Sequence, residues 1–245
     1  MIKTKQQIKD WKKVAFIILC LLPAFAFLIT FLYYPIIETF RLSAHKTQGM
    51  GDETFVGLDN YIRLLSDAQF LRGLWHVFSW AFWSVAIQLP LAFLIAFSLT
   101  FYSNKMTRGL RVVYFLANIM PSAITAMLGK FVFSSTNGII SSFAKFLNIE
   151  WLAKMDFLGN PDLAFWAVFA IATWTFTGFP IIYLMASIEQ IPKEIQEAAE
   201  LDGAVGWHYA RTIVLPAVAY PMRILAVLMV TGSLKLFDLP WLMTG

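Results

Sequence analysis

Cysteine is all but missing: Cys20 stands alone, inside an apolar run. A single thiol excludes an intramolecular disulfide and leaves no basis for a cysteine-ligated metal site. Charge is scarce as well. Only 14% of the 245 residues are charged, against 59% hydrophobic and 16% aromatic, a balance that excludes an ordinary water-soluble domain. Histidine occurs three times, at His45, His76 and His208. The formal charge of +4 is spread along the chain with no basic patch, which argues against a nucleic-acid partner and for a topological role of the basic residues.

What is abundant is apolar sequence in runs of roughly 20 residues, the length that matches the hydrocarbon core of a bilayer. Five spans can be drawn near 14–34, 75–101, 112–133, 162–187 and 217–238. Residues 1–13 form a lysine-rich amino-terminal segment (Lys3, Lys5, Lys9, Lys12, Lys13), and residues 14–245 a transmembrane domain with a loop at 188–216. The lysine-rich start and Ala24-Phe25-Ala26 also fit a secretory signal peptide, but the run from Val14 to Tyr34 exceeds a signal core and suits a retained span. The short loop with Lys105, Arg108 and Arg111, and the segment with Lys193 and Arg211, fall on the same side as the amino terminus. The positive-inside rule makes that side cytoplasmic. Prolines at Pro90, Pro121 and Pro180 fall inside spans, and Pro216 and Pro221 open the fifth. Each removes a backbone hydrogen bond, so kinks are expected there.

The loop 188–216 is the informative segment. Pro192 suits a first helical position, Glu194 suits the positive end of a helix dipole, and Gly203 after Asp202 suits a helix stop. A second short helix fits Gly206 to Val214 before Pro216. At 100° per residue, Ile195, Ala198, Ala199 and Asp202 share a stripe, with Lys193, Glu197 and Glu200 opposite. Such a helix can lie in the lipid interface or dock in a protein groove. Interfacial helices are usually basic, whereas this one carries Glu189, Glu194, Glu197, Glu200 and Asp202 against Lys193, which favours the groove.

Glu197-Ala198-Ala199, Gly203 and Ile213-Val214-Leu215-Pro216 resemble the EAA motif of permease subunits in bacterial ABC importers. Gly57-Leu58-Asp59-Asn60-Tyr61, Ile191-Pro192, Asp202-Gly203-Ala204 and the closing Met243-Thr244-Gly245 resemble its carbohydrate-uptake branch, the maltose-type permeases. The resemblance implies an all-α polytopic helix bundle of the type I importer kind in the bacterial inner membrane. It implies that Glu197, Ala198, Ala199, Asp202, Gly203, Ile213, Leu215 and Pro216 couple the bundle to an ATPase. It also implies four kinds of partner: a second permease, two copies of an ATP-binding subunit, an extracytoplasmic solute-binding protein and membrane lipid. Members of this kind continue past Met-Thr-Gly into a sixth span, so a sixth span is expected beyond Gly245.

A Walker-type loop, G-x-x-x-x-G-K-[ST], would cradle ATP phosphates, and none is present: Gly129-Lys130 is followed by Phe131. ATP and its Mg2+ are therefore expected on the partner ATPase, with no cofactor and no catalytic residue on this chain. His45 and His76 fall on one side of the membrane and His208 on the other, so they cannot share a metal, and no H-E-x-x-H occurs. For a substrate path, polar or aromatic groups inside spans are informative, because they are costly in lipid. Gln88, Asn118, Ser122, Thr125, Trp174, Thr177 and Tyr183 qualify, and Asn118, Trp174, Thr177 and Tyr183 are the candidates for contacts with a sugar's hydroxyls and ring faces. Permeation of another solute, a polyamine or an anion, is the nearest alternative; a secondary transporter or channel would want more membrane-embedded charge. Lys235 and Asp238, three apart, are expected to pair on one helix surface.

Overall fold

The computed structural model describes residues 2–47, 53–101 and 105–245. Asp52 and the side chains of Lys3, Lys5, Lys9, Lys105 and Arg108, which carry part of the charge reading, lie outside the described ones. The chain divides into two compact units, Met1–Gly73 and Leu74–Gly245.

In the first unit, helix α1 (Ile2–Leu28) passes through a π-helical segment, Ile29–Tyr33, into α2 (Tyr34–Ser43). The stretch Trp11–Ser43 is long and apolar enough to cross a membrane, and its apolar window is unburied within the structure. That helix therefore runs nine residues past the expected boundary at 34, because Pro35 falls at the start of α2 without stopping it. A two-residue strand pair follows, β1 (His45–Lys46) against β2 (Thr54–Phe55), then α3 (Asp59–Ser66). Asn60 Nδ2 donates to the carbonyls of Ser43 and His45 at 2.9 and 3.0 Å, and the hydroxyls of Tyr61 and Ser43 meet at 2.6 Å. The Asp59-Asn60-Tyr61 run thereby fastens α3 to the end of α2. Arg41 bridges Glu38 and Glu53 at 2.6 and 2.7 Å.

The second unit contains the packed bundle. Helix α4 (Ala68–Trp83) continues through a π-helical segment, Ser84–Gln88, into α5 (Leu89–Phe101). Helices α6 (Lys105–Ile119) and α7 (Ser122–Phe133) come next, then short helices α8 (Ile139–Phe146) and α9 (Glu150–Ala153). The chain returns through α10 (Pro161–Phe176) and α11 (Gly178–Ile188). After them come α12 (Lys193–Leu201) and α13 (Gly206–Tyr209), a third π-helical segment at Ala210–Val214, and α14 (Leu215–Ala217). Helices α15 (Ala219–Leu234) and α16 (Asp238–Thr244) close the chain.

Small residues allow the central helices to approach closely, the usual device where lipid offers no hydrophobic contrast. Ala92 and Ala96 of α5 are fully buried beside Phe93 and Phe97, against Ile181, Leu184 and Ile188 of α11. Gly178 opens α11 so near to α6 that a Cβ there would sit 2.3 Å from the Tyr114 carbonyl. A second cluster gathers Trp80, Val168, Phe169, Ala172, Leu239 and Met243.

The expected spans at 112–133, 162–187 and 217–238 are not straight helices. The first bends by 110° between Ile119 and Ser122, the second by 41° between Phe176 and Gly178, and the third by 72° between Ala217 and Ala219. The first bend falls at Pro121, which itself takes an extended backbone (φ −57°, ψ 142°), and its carbonyl accepts the amides of Ile124 and Thr125 at 3.0 and 3.1 Å. Pro216 does not open the fifth helix, as the sequence suggests. The helix from Gly206 runs through it to Ala217, and the bend falls at Val218. The expected Lys235–Asp238 pair does not form among the described residues, because α15 ends at Leu234 and α16 starts at Asp238, so the helical spacing that would align them is broken.

Candidate functional site

Two features of the second unit stand out: a cavity midway along the bundle and an exposed helix-turn-helix at one end. The cavity, of about 390 Å3, is lined by Trp80, Ser84 and Gln88 from the α4–α5 helix, Asn118 from α6, Phe176, Phe179 and Pro180 around the α10–α11 break, and Leu225, Met229, Gly232 and Ser233 from α15. Trp80, Ser84 and Gln88 recur every fourth residue. In a plain α-helix such a row drifts around the axis, since four residues exceed one turn. The wider π-helical turn at Ser84–Gln88 takes up the excess and keeps the row on one face.

Polar atoms in the cavity are partly committed. Gln88 Nε2 donates to Thr173 Oγ1 at 3.1 Å, and Thr173 donates to the Phe169 carbonyl at 2.7 Å. Asn118 Nδ2 reaches the Thr175 carbonyl at 3.4 Å. Ser233 Oγ donates to Met229 O at 2.7 Å and lies 3.5 Å from Ser84 Oγ. The side-chain carbonyls of Gln88 and Asn118 have no hydrogen-bond partner among the described residues. No lining side chain is ionisable. The cavity thus offers acceptors, hydroxyls and flat aromatic faces, without charge.

Of the sequence candidates, Asn118 lines this cavity, as does Gln88. Trp174, Thr177 and Tyr183 do not. Trp174 is partly exposed at 37%, and Thr177 is buried with its hydroxyl held by the Thr173 carbonyl. Thr125 is buried with its hydroxyl 3.4 Å from the Pro121 carbonyl. Reading polar residues singly passes over Ser84, Ser233 and Trp80. The recurrence of His76, Trp80, Ser84 and Gln88 at every fourth residue is the sequence signal that marks Trp80 and Ser84, and no such signal marks Ser233.

At the exposed end, α12 and α13 enclose a turn with a defined cap. Gly203 sits at φ +76°, its amide donates to Glu200 O at 3.1 Å, and the Ala204 amide donates to Ala199 O at 2.8 Å. These two bonds make a Schellman cap, with Ala199 and Ala204 as its paired apolar positions. The spacing from Ala199 to Gly203 is that of the cap. Ala199 is buried, while Glu197, Ala198, Asp202 and Pro216 are exposed and Ile213 and Leu215 half-buried. Only Ala199 of the expected stripe turns inward. Leu201, Val205 and Trp207 are 89%, 58% and 59% exposed around the turn.

The turn is tied to the bundle. Tyr209, Ala210 and Val214 are buried in one cluster with Phe97, Ile188 and Ala199, and the Tyr209 and Phe101 rings are 6.2 Å apart. Arg111 Nη2 donates to Leu99 O at 2.8 Å, and Nη1 lies 3.8 Å from Glu189 Oε1. The ends of α5 and α11 are therefore joined through Arg111 of α6.

Comparison with known proteins fits this arrangement. The profile of a family described as "Binding-protein-dependent transport system inner membrane component" matches residues 88–245. The chain is 28% identical over 229 residues to the "Trehalose/maltose transport system permease protein MalF" of Thermococcus litoralis, covering 93% of this chain and 76% of that one. It is 27% identical over 220 residues to the "Probable starch degradation products transport system permease protein AmyD" of Thermoanaerobacterium thermosulfurigenes, covering 88% and 72%. Its fold matches that of a bacterial alginate ABC transporter crystallised in complex with an alginate pentasaccharide-bound periplasmic protein, with a TM-score of 0.80 at 22% identity over 96% of this chain and 81% of that one. The chain belongs to the binding-protein-dependent transport system inner membrane components, the membrane-spanning permeases of ABC importers.

Proposed function

We propose that this permease carries an uncharged saccharide across a bacterial cytoplasmic membrane, using the cavity bounded by Gln88, Asn118 and Ser233. The observation that carries the reading is the lining itself, which holds amides, hydroxyls and aromatic faces and no ionisable side chain. A sugar presents hydroxyls and apolar ring faces and is matched by such a wall, whereas a polyamine or an anion would want charged partners. The saccharides in the names of its relatives support the same class.

Residues 1–13 lie in the cytoplasm in this reading, with the loop 188–216 on the same side. The turn around Gly203 docks on a separate ATP-binding subunit through Leu201, Val205 and Trp207. That subunit, present in two copies, holds ATP and Mg2+, and a second permease completes the pathway. An extracytoplasmic binding protein delivers the sugar. Closure of the ATP-binding subunits pushes on α12. The packing of Ala199, Tyr209, Ala210 and Val214 against Phe97 and Ile188 passes that displacement to α11, which borders the cavity, and to α5, which continues from the cavity-lining segment Ser84–Gln88.

Purification of the complete complex tests the proposal, with the ATPase response to maltose, trehalose, putrescine and sulfate as the readout. Retention of an ATP-binding subunit with stimulation by a sugar, both reduced by Glu197→Lys and Gly203→Pro, is the expected result. Stimulation by putrescine or sulfate alone would remove the saccharide reading, and the lack of any associated ATPase would remove the docking role of the turn.

A further inference from the structure

A second cavity, of about 300 Å3, lies at the His76 end of the same helices. His76, Phe165, Pro240 and Thr244 wall it, and it shares Trp80, Ser233 and Leu236 with the first cavity. The three shared residues form a partition between two chambers in line. Along the α4–α5 helix the order is His76, Trp80, Ser84, Gln88, which spans about 18 Å at the helical rise.

The chamber presents aromatic faces and polar groups. The His76 ring stacks on Phe165 at 5.7 Å and 29°, and Trp80 makes edge contacts with Phe165 and Phe169 at 5.5 and 5.1 Å. Neither the His76 ring nitrogens nor the Trp80 indole N–H has a hydrogen-bond partner among the described residues. Trp80 is 8% exposed as a whole, and its indole nitrogen keeps solvent access, so the N–H is free to donate. Thr244 donates to the Pro240 carbonyl at 2.9 Å, and its hydroxyl oxygen can still accept. Flat rings beside unspent donors match a pyranose, which has apolar faces and a rim of hydroxyls.

We propose that this second cavity is a vestibule subsite that holds the outer ring of a saccharide longer than a disaccharide while the first cavity holds the rest, with Trp80 as the partition the chain crosses. The inference rests on the saccharide reading above. Two chambers in series make the vestibule matter more as the sugar lengthens. A short sugar is accommodated by the first cavity, whereas a longer one keeps a ring against His76 and Phe165.

Uptake of maltose and of maltotriose into proteoliposomes carrying the complete transporter and its binding protein tests this. Phe165→Leu and His76→Ala are expected to lower the maltotriose-to-maltose uptake ratio roughly three- to tenfold, the factor that corresponds to loss of a ring contact. Phe165→Tyr, which keeps the ring, and His76→Gln, which keeps a donor and an acceptor, are expected to restore the ratio. A merely structural role would reduce uptake of both sugars together. Retention of the ATP-binding subunit reports assembly, and Phe165→Met supplies the same test if Phe165→Leu does not assemble. An unchanged ratio in both variants, with wild-type uptake of both sugars, overturns the vestibule and leaves the saccharide reading standing. Wild-type uptake of neither sugar, with no saccharide stimulating the ATPase, overturns the saccharide reading and the vestibule with it.

Discussion

Replacing Gly203 separates the backbone requirement of the turn between α12 and α13 from its side-chain chemistry. A Cβ at Gly203 would meet nothing within 4 Å, so no steric clash contributes to the effect of a substitution. What remains is the conformation at φ +76°. An alanine held there costs about 1–2 kcal/mol, and asparagine costs less because its short polar side chain tolerates the left-handed region. Proline is worse in kind: its φ is fixed near −65°, and it removes the amide that reaches Glu200 O at 3.1 Å. The Schellman cap then opens and the Ala204 amide loses Ala199 O as well. Amide hydrogen exchange across Ala198–Ala204 in the assembled transporter reads this directly. Gly203→Ala is expected to accelerate exchange of the 203 and 204 amides roughly 5- to 30-fold, the factor equivalent to 1–2 kcal/mol. Gly203→Asn should fall between wild type and alanine, and Gly203→Pro should abolish protection at position 204. Sugar transported per ATP hydrolysed should follow the same order. Equal protection in glycine, alanine and proline variants, or asparagine ranking below alanine, would refute the cap as the reason for glycine here.

Gly178→Ala is expected to destabilise the assembled complex by upwards of about 2 kcal/mol, read as a lower melting temperature, since its Cβ would press on the Tyr114 backbone carbonyl at 2.3 Å and no side-chain change at Tyr114 relieves that. Gly129→Ala meets the flexible end of Met243 instead, Cε at 2.6 Å and Sδ at 2.9 Å, so its loss of melting temperature should be smaller than that of Gly178→Ala. Hydrogen bonds from Arg41 hold the Glu53 carboxyl below the usual carboxylate range. A lowered folded value means that the contact contributes above the unfolded pKa of about 4.3 and is lost as pH falls through the folded one, so exchange at the Val56 amide, which donates to the Ala44 carbonyl at 2.9 Å, should, after correction for intrinsic rate, be level from neutral down to about pH 5 and rise in stronger acid. Glu53→Gln should remove that dependence.

The helical class and the helix stop at Gly203 could be read from the sequence because both depend on local chemistry. Apolar runs and the Asp202-Gly203 stop act within one turn of chain, and Gly203 takes the left-handed cap that its position suggests. The straightness of the spans could not be read in the same way, because proline has two outcomes in a helix and the choice depends on its neighbours. The cavity was only half legible. Gln88 and Asn118 stand out as amides in apolar sequence, but Trp174 and Thr177 stand out equally and face elsewhere, since a threonine hydroxyl can be satisfied by its own helix, as Thr177 is by the Thr173 carbonyl. Facing is a property of the packed bundle, and only the row at every fourth residue along α4 and the π-helical segment after it carried it in the sequence.

The prolines show how the bundle can be both bent and continuous. A proline frees the carbonyl four residues before it and pushes that group aside with its ring. For Pro35, Pro90 and Pro216 the freed carbonyls belong to Phe31, Ala86 and Thr212, each the central residue of a π-helical segment. The amide just before each proline reaches back five residues, Tyr34 to Ile29, Leu89 to Ser84 and Leu215 to Ala210, so the helix widens and continues. For Pro180 and Pro221 the freed carbonyls belong to Phe176 and Ala217, the last residues of α10 and α14, and the helix bends there by 41° and 72°. Two of these five sites bear on transport as proposed. The widened turn before Pro90 keeps Trp80, Ser84 and Gln88 in one row on the cavity wall. The one before Pro216 keeps the docking turn rigidly continuous up to Val218, so that displacement of α12 is delivered to a bend next to α15, whose Leu225 and Ser233 form the opposite wall. A helix that broke at Pro216 would lose that lever, and one that stayed straight at Val218 would have no joint to turn.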